Sequence, residues 1–318
     1  MIEVEGEYPV IERFQTGILS LDMALSNGPY IGAPLRVVYE IFGKPGVGKS
    51  TLTYYLSGKI NKTGNIYVAS LESFDRDYVV QSVTPSGFEG KIKLIDMQEK
   101  GKTRSHEAVL TDLIKAVTND DFNAGIFDSI GALIPTAEME GELTDANMGV
   151  RARLVSKIAK KFSWNLINSE RMGAIFIINH QHEVIGGMGH TTAGGVTLKY
   201  HSRVRMGLWS ETIKLSDEVA GYLVHGTIEK LSMGKTGRKF QLILLPGYGI
   251  SPDLSAMFDC FELGLAKRDK SIQVDGQSLG YLSKFFEAAR EGRTEMFAPF
   301  YAKLEDYVRE NKLERVRN

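Results

Sequence analysis

The chain has 318 residues, of which 43% are hydrophobic and 24% charged, and its formal net charge is −1 at pH 7. This composition is that of an ordinary globular protein, and because the net charge is near zero, any nucleic-acid site must be a local patch. The single cysteine, Cys260, excludes an internal disulfide framework, no apolar run reaches the length of a membrane span, and the acidic start MIEVEGE is not expected to be a signal peptide.

Short apolar runs alternate with helical patterns along more than half of the chain. Strands are predicted near 35–42, 65–71, 92–96, 124–128 and 173–179. Helices are predicted near 50–61, 75–82, 106–118 and 149–169. This alternation predicts an α/β fold with a mostly parallel sheet and helices on both faces. Further strands, predicted in KYHSRVRMGLW, YLVHGTIEKLSM and RKFQLILLPG, are expected to extend the sheet in antiparallel fashion.

The sequence changes character after about Leu263. SIQVDGQSL predicts a short hairpin with Asp-Gly as its turn, and two charged helices are predicted after it. We therefore expect a main domain over residues 16–262 and a small α/β domain over residues 263–318. Residues 1–15 are expected to form a short N-terminal segment with a strand in YPVIERF.

A phosphate-binding motif occupies Gly43–Thr51, because GKPGVGKST matches G-x-x-x-x-G-K-[ST] in full. It lies between a predicted strand and a predicted helix, which is the context that the motif requires. Backbone N–H groups of this loop would surround phosphate oxygens, Lys49 would reach the β- and γ-phosphates, and the Ser50 hydroxyl would bind Mg²⁺. The predicted nucleotide contacts of the loop are Gly43, Lys44, Pro45, Gly46, Val47, Gly48, Lys49, Ser50 and Thr51.

Two acidic residues follow predicted strands of the same sheet. Asp128 ends the run AGIFD, and a carboxylate at the carboxyl edge of an open α/β sheet is well placed to position Mg²⁺. Glu72 follows NIYVASL, where a carboxylate would orient and activate an attacking water. The alternatives are an aspartate that only ends a strand and a solvated loop glutamate.

The segment Glu138–Leu166 is predicted to begin with turns and to continue as an amphipathic helix. Its apolar positions recur every fourth residue, and an adjacent face is basic. The apolar stripe is Leu154, Ile158, Phe162 and Leu166, and the basic residues are Arg153, Lys157, Lys160 and Lys161. Such a face beside mobile loops suits a phosphate backbone, although an isolated helix of this kind is more often only solvated.

The segment Val184–Val196, VIGGMGHTTAGGV, contains five glycines among its thirteen residues. Glycine loses much backbone entropy on ordering, so a long loop of this composition is either a spacer or is ordered by something outside the chain. Lys199, Arg203 and Arg205 follow directly. A loop that orders around a flexible polyanion would have this composition.

Four segments resemble the RecA family of recombinases in order and spacing: TGILSLDMALSNG, the phosphate loop, DSIGALIPTAEMEGELTDANMG and TTAGGVTLKY. The resemblance covers roughly residues 16–262 and implies a DNA-dependent ATPase that uses ATP and Mg²⁺. It further implies a helical homopolymer on single-stranded DNA that then pairs with duplex DNA. EMEGELTDANMG is similar to the family's first DNA-binding loop, and the glycine-rich segment to the second. A cytoplasmic location, in a bacterium or a phage-infected host, is also implied.

Residue roles follow from positions that match the family's motifs. The resemblance implies that Asp128 positions Mg²⁺, that Glu72 activates water, and that Asp75 and Tyr78 contact the adenine. It implies a catalytic role for Lys49 as well. The implied DNA contacts are Met148, Arg153, Gly194, Gly195 and Lys199.

Several positions depart from the bacterial pattern. His180 stands where bacterial members carry a glutamine that senses the γ-phosphate, and the run INH resembles recombinases of some large bacteriophages. Because an imidazole changes its charge near neutral pH, we hypothesise that His180 makes the coupling to DNA pH-sensitive. Lys230 matches one of two basic residues that reach ATP across the protomer interface, but the second falls on Ser232, with Lys235 as a candidate substitute.

The short segment before Thr16 lacks the family's N-terminal docking helix, so assembly is expected to be weaker or to depend on the N-terminal strand. Two alternatives to a recombinase remain. One is a ring-forming helicase on the same ATPase core, which would have no need of EMEGELTDANMG. The other is an ATP-binding mediator with little turnover, which the short N-terminus and Ser232 favour slightly.

Overall fold

The computed structural model of the protein describes residues 12–99, 101–141, 149–183, 190–232 and 234–315. The helices are α1 (Leu19–Ala24), α2 (Lys49–Ile60), α3 (Arg76–Val83), α4 (His106–Ala116), α5 (Thr136–Glu140), α6 (Val150–Asn168), α7 (Gly195–His201), α8 (Pro252–Glu262), α9 (Leu282–Glu291) and α10 (Ala298–Glu310). The strands of the first half are β1 (Arg13–Phe14), β2 (Tyr30–Ile31), β3 (Ala33–Pro34), β4 (Val38–Gly43), β5 (Asn65–Ser70), β6 (Lys91–Leu94), β7 (Gln98–Glu99), β8 (Lys102–Thr103) and β9 (Phe122–Asp128). Those of the second half are β10 (Ala174–Glu183), β11 (His190–Thr192), β12 (Val204–Leu215), β13 (Glu218–Leu231), β14 (Lys239–Leu245), β15 (Gly249–Ser251), β16 (Lys267–Arg268), β17 (Ile272–Val274), β18 (Gln277–Gly280) and β19 (Glu314–Arg315).

A ten-stranded sheet forms the centre of the molecule, in the order β15-β14-β13-β12-β4-β10-β9-β5-β6, with β11 added on β10. Strands β12, β4, β10, β9, β5 and β6 run parallel, and β12 through β15 continue the sheet in antiparallel fashion. The predicted α/β class and antiparallel extension are therefore confirmed. Every residue of β4 is buried, as expected where helices cover both faces of a parallel sheet.

Alternate residues of the central strands build two separate cores. Ile126 of β9 belongs to the core that includes Leu56 of α2, on one face of the sheet. Its neighbour Phe127 belongs to the core on the other face, which includes Leu113 of α4 and Phe162 of α6. Because side chains alternate along a strand, successive apolar residues pack against the helices on opposite faces of the sheet.

A third core joins the C-terminal segment to the rest of the chain. Phe285 and Phe300, from α9 and α10, pack in one cluster with Leu19 of α1 and Ile243 of β14. The predicted hairpin is present as β17 and β18, antiparallel around Asp275 and Gly276. The boundary at residues 262 and 263 stays a prediction, because this cluster includes residues from both sides of it.

The structure corrects two expectations about local structure. The strand predicted from Lys199 in KYHSRVRMGLW is wrong at its start, because α7 extends to His201 and β12 begins only at Val204. The start of the segment Glu138–Leu166 was expected to form turns, whereas helix α5 extends to Glu140.

Of the predicted N-terminal strand, the structure describes β1, which pairs with β3 of the same chain. Residues 1–11 lie outside the described residues. Among the helices that the structure describes, none is both long enough and apolar enough to cross a membrane.

Candidate functional site

The phosphate loop connects β4 to α2 in a conformation that suits glycine. Gly46 and Gly48 have φ angles of 77° and 92°, in the left-handed region that residues with a Cβ rarely adopt. A Cβ at Gly43 would lie 2.4 Å from the carbonyl oxygen of Leu208. Gly48 is also the N-cap of α2 and brings no side chain that could accept from the first helical N–H groups. The loop therefore presents these donors and the positive end of a 12-residue helix to an anion.

Lys49 is buried at the start of α2 and bends back onto the loop. Its Nζ donates hydrogen bonds to the carbonyl oxygens of Gly43 and Lys44, at 3.1 and 2.8 Å. Burial lowers the pKa of Lys49, and the carboxylates of Asp128 and Glu72 oppose that shift. A phosphate group in the loop would offer this buried ammonium a stronger, charged acceptor than the two carbonyls.

Ser50 and Asp128 meet at the carboxyl end of β9, as the prediction of a shared Mg²⁺ position requires. The Ser50 hydroxyl donates to Asp128 Oδ2 over 3.1 Å. Burial raises the pKa of Asp128 to about 6, and the negative charge of Glu72 adds to this shift. A hydroxyl and a partly buried carboxylate are hard oxygen ligands of the kind that Mg²⁺ prefers, and a cation here would offset the cost of desolvating the charge. The residues therefore fit the predicted metal.

Glu72 lies just beyond the end of β5, beside two groups that fix its position. Its Oε1 accepts a hydrogen bond from the Ser129 hydroxyl at 2.5 Å. The same oxygen lies 3.5 Å from His180 Nε2. His180 is carried by β10, where Gly43 is its register partner on β4. The structure thus brings together the predicted base, the predicted γ-phosphate sensor and the phosphate loop. Ser129 was not singled out from the sequence, although it directly follows Asp128.

These groups surround a cavity of about 430 Å³. Its lining includes the loop residues 45–51, Glu72, Tyr78, Asp128 and His180, together with Ile178 of β10. Sequence reasoning missed four further lining residues: Ser210, Tyr222, Val224 and Leu244. They belong to β12, β13 and β14, whose antiparallel pairing was predicted but whose register no local pattern reveals.

The two residues predicted to contact adenine have different surroundings. The Tyr78 hydroxyl is 2.8 Å from Thr51 Oγ1, and the ring is 40% exposed at the cavity. Asp75 is the N-cap of α3, and its Oδ1 accepts from the backbone N–H of Tyr78 at 3.0 Å. The carboxylate of Asp75 therefore holds the helix that presents Tyr78. Direct contact of either residue with adenine stays a prediction.

Of the residues predicted to contact DNA, those that the structure describes lie on or beside α6 and α7. Met148 lies outside the described residues. Arg153 is exposed on α6, as are Lys157, Lys160 and Lys161. Of the predicted apolar stripe, Ile158, Phe162 and Leu166 are buried and Leu154 is partly buried. Gly194 is the N-cap of α7, Gly195 is its first residue, and Lys199 lies in its last turn.

Lys230 on β13 holds the carboxyl end of α7. Its Nζ donates to the carbonyl oxygens of Lys199 and Tyr200 at 2.7 and 2.6 Å. Burial lowers the pKa of Lys230, as do the positive charges of Arg205 and Arg203. Lys230 is absent from the described lining of the cavity, so its role at ATP across a protomer interface stays a prediction.

Comparison with known proteins identifies one family. A family model described as the RecA N-terminal domain matches residues 2–251. A protein named Protein RecA from Bifidobacterium breve is 30% identical over 284 residues, which are 86% of this chain and 69% of the relative. Protein RecA of Mycolicibacterium gilvum is 31% identical over 283 residues, covering 87% and 77% of the two chains. Protein RecA of Chloroherpeton thalassium is 29% identical over 315 residues, covering 97% and 84%.

Proposed function

This chain belongs to the RecA family of recombinases, and we propose that the cavity beside its phosphate loop binds ATP together with Mg²⁺. The protein acts in homologous recombination and repair as a DNA-dependent ATPase. One observation supports the proposed site above all others. Lys49 and Ser50 begin α2, Glu72 follows β5, Asp128 ends β9 and His180 lies on β10, yet all five line one cavity at the carboxyl edge of the sheet.

In the proposed site the phosphate chain lies in the loop, held by its backbone N–H groups. Lys49 exchanges its two carbonyl acceptors for phosphate oxygens. Ser50 and Asp128 hold Mg²⁺, which neutralises phosphate charge when it is bound. Val224, which is buried, and Leu244, which is partly buried, line the same cavity and limit access of bulk water to the nucleotide.

Glu72 is proposed as the residue that orients the attacking water and accepts its proton. The hydrogen bond from Ser129 fixes one carboxylate oxygen and leaves the other available for the water. His180, next to the same carboxylate, is proposed to detect the terminal phosphate. Residues 181–183 of β10 directly follow His180 and pair with β11, which lies within the glycine-rich segment. A movement of His180 would therefore be transmitted to that segment along the strand.

We propose further that the chain assembles as a helical homopolymer on single-stranded DNA and then pairs this strand with duplex DNA. The exposed basic face of α6 and the amino end of α7 support this, because both present cationic or N–H groups to a phosphate backbone. Sequence would be checked by base pairing between the strands, so the protein needs to contact only the backbone.

The testing experiment is electron microscopy of the protein with single-stranded DNA and a slowly hydrolysed ATP analogue. Open helical filaments that stretch the DNA are expected. Closed rings would instead support a helicase, and unassembled particles would support a mediator. In parallel, Glu72→Gln is expected to retain filaments and nucleotide binding while losing about 10²–10⁴-fold in ATP turnover. Unchanged turnover in Glu72→Gln would contradict the role given to this residue.

A further inference from the structure

A buried ion pair has one member on β4, shortly before this strand enters the phosphate loop at Gly43. Glu40, on β4, has a side chain with no solvent exposure. Its Oε2 accepts a hydrogen bond from Arg205 Nε at 2.5 Å, across the parallel pairing of β4 and β12. Arg205 also lies over the Phe42 ring, with 4.8 Å between the guanidinium carbon and the ring centroid. The pair therefore fixes β12 to the strand that leads into the loop.

The other oxygen of Glu40 holds Asn179, the residue before His180. Asn179 Nδ2 donates to Glu40 Oε1 at 2.8 Å. The same amide nitrogen donates to the carbonyl oxygen of Ala193, also at 2.8 Å. Asn179 Oδ1 accepts from the backbone N–H of His180. The side-chain amide thus uses both its N–H groups and its oxygen, and each bond fixes its orientation.

Ala193 is the last residue before Gly194 and Gly195, where the glycine-rich segment turns into α7. Thr192, beside it, is buried and places its Oγ1 3.5 Å from Arg205 Nη2. The carboxyl end of the proposed second DNA loop is therefore attached to the same cluster as the strand that carries His180.

A buried charge pair is a weak source of stability, because desolvation of the two ions offsets most of their attraction. An apolar pair of similar volume would serve the fold at least as well. A carboxylate is different in one respect: it only accepts hydrogen bonds, so it can hold Arg205 and Asn179 at once. A glutamine at this position could accept from one of them but would turn an NH₂ group towards the other.

We infer that Glu40 and Arg205 are positioning residues that attach the second DNA loop to the His180 strand, so that DNA binding and ATP hydrolysis are coupled. This inference rests on the proposed function. Without the carboxylate, the Asn179 amide loses its fixed orientation, and the hydrogen bond to Ala193 weakens. Loop and sensor then move independently, while the groups that touch the nucleotide stay in place.

The test compares Glu40→Gln with Glu229→Gln. Glu229 Oε2 also contacts Arg205, at 3.1 Å from Nη1, but its side chain is 46% exposed, so it serves as a matched control. ATP hydrolysis is measured without DNA and with saturating single-stranded DNA. Glu40→Gln is expected to keep DNA-free turnover within about twofold and to lose about tenfold of the DNA stimulation, a typical coupling factor. Glu229→Gln is expected to behave like the wild type.

A second readout is the gain in DNA affinity caused by the ATP analogue. This gain is expected to fall in Glu40→Gln, because it reports the coupling between the nucleotide and DNA sites as a difference in binding free energy. Normal stimulation in Glu40→Gln, or an equal loss in Glu229→Gln, would overturn the inference, as would a parallel loss of DNA-free and DNA-stimulated turnover. A wild-type protein without DNA stimulation would instead contradict the proposed function.

If Glu40→Gln does not fold, the double variant Glu40→Met, Arg205→Met removes both charges together and is expected to fold. It should hydrolyse ATP at the DNA-free rate and show the same loss of stimulation. A folded double variant with normal stimulation would overturn the inference, because the charge pair would then be dispensable for coupling.

Discussion

A buried carboxyl group near the C-terminal segment makes the stability of the fold depend on pH. Asp259, on α8, is 1% exposed. Its Oδ2 accepts from the backbone N–H of Ser20 at 2.9 Å, while Oδ1 finds no donor among the described residues. Burial raises the pKa of Asp259 from its ordinary 3.8 to about 7, and the nearby charges of Asp22 and Glu262 add to this shift.

The sign follows from where the proton is bound. Between pH 3.8 and about 7 the folded chain holds a proton that the unfolded chain has released. The contribution of Asp259 to stability is therefore complete below pH 3.8 and is lost progressively as the pH rises to about 7. From pH 5 to pH 8 the loss amounts to about 2.7 kcal/mol, since the window spans roughly two pH units at ~1.36 kcal/mol each.

Asp259→Asn removes this titration while keeping the acceptor for Ser20. Any fixed cost of the amide is the same at each pH, so the difference between wild type and variant isolates the proton. We expect the melting temperature of the wild type to fall by roughly 5 °C more than that of Asp259→Asn between pH 5 and pH 8, at about 2 °C per kcal/mol for a chain of this size. Differential scanning calorimetry at one scan rate measures this.

Asp22→Asn provides the matched comparison, because burial raises the pKa of Asp22 only to about 6. Its effect over the same window is expected to be about half as large and to be complete by pH 7. Melting temperatures of wild type and Asp259→Asn that change in parallel from pH 5 to pH 8 would refute the reasoning.

Other variants test the core and the proposed site. Phe162→Ala, at a fully buried position of α6, should lower the free energy of unfolding in urea by about 3–5 kcal/mol. Lys161→Ala, at the exposed position beside it, should change this free energy by no more than about 0.5 kcal/mol, and similar values for the two variants would contradict the burial of this face. Gly48→Ala should weaken ATP binding by about tenfold in calorimetry, because a Cβ there is strained at φ 92° and lies 3.0 Å from Leu244 Cδ1; unchanged affinity would be incompatible with the loop conformation. The hypothesis that His180 makes the coupling pH-sensitive predicts that the pH profile of DNA-stimulated hydrolysis differs between wild type and His180→Gln, since a glutamine cannot change charge. An identical profile in the two proteins would end this hypothesis.

Much of the site could be predicted from the sequence because its chemistry is local. The phosphate loop is a contiguous motif, and Glu72 and Asp128 each follow an apolar strand. Once the strands are parallel, their carboxyl ends meet at one edge, so the two acids had to approach each other. The helix α7 could not be predicted in this way. Its glycines are typical of a loop, and the helix is stabilised by Leu198, which is buried near Val155 of α6.

The cavity residues on β12, β13 and β14 could not be predicted, because the register between antiparallel strands depends on residues that are distant along the chain. The pairing of β12 with β13 shifts between Arg205 and Met206 and again between Ile213 and Lys214, and such irregularities affect which side chains of these strands line the cavity. Periodicity identifies the strands but contains no information about such shifts. Ser210 and Tyr222 therefore have no signature in the sequence.

Glu40 is the intermediate case, and it shows what a sequence can and cannot reveal about coupling. A charged residue within VVYEIFG, a run otherwise typical of a buried strand, requires a buried partner, because an unpaired charge in the core is too costly. The sequence thus indicates that a partner exists. It cannot identify that partner, since Arg205 lies 165 residues away along the chain. Only the order β12-β4-β10 brings Arg205 and Asn179 to opposite sides of Glu40. The same strand order places Glu40 against Asn179, the residue before His180, and the Asn179 amide also donates to Ala193 at the end of the glycine-rich segment.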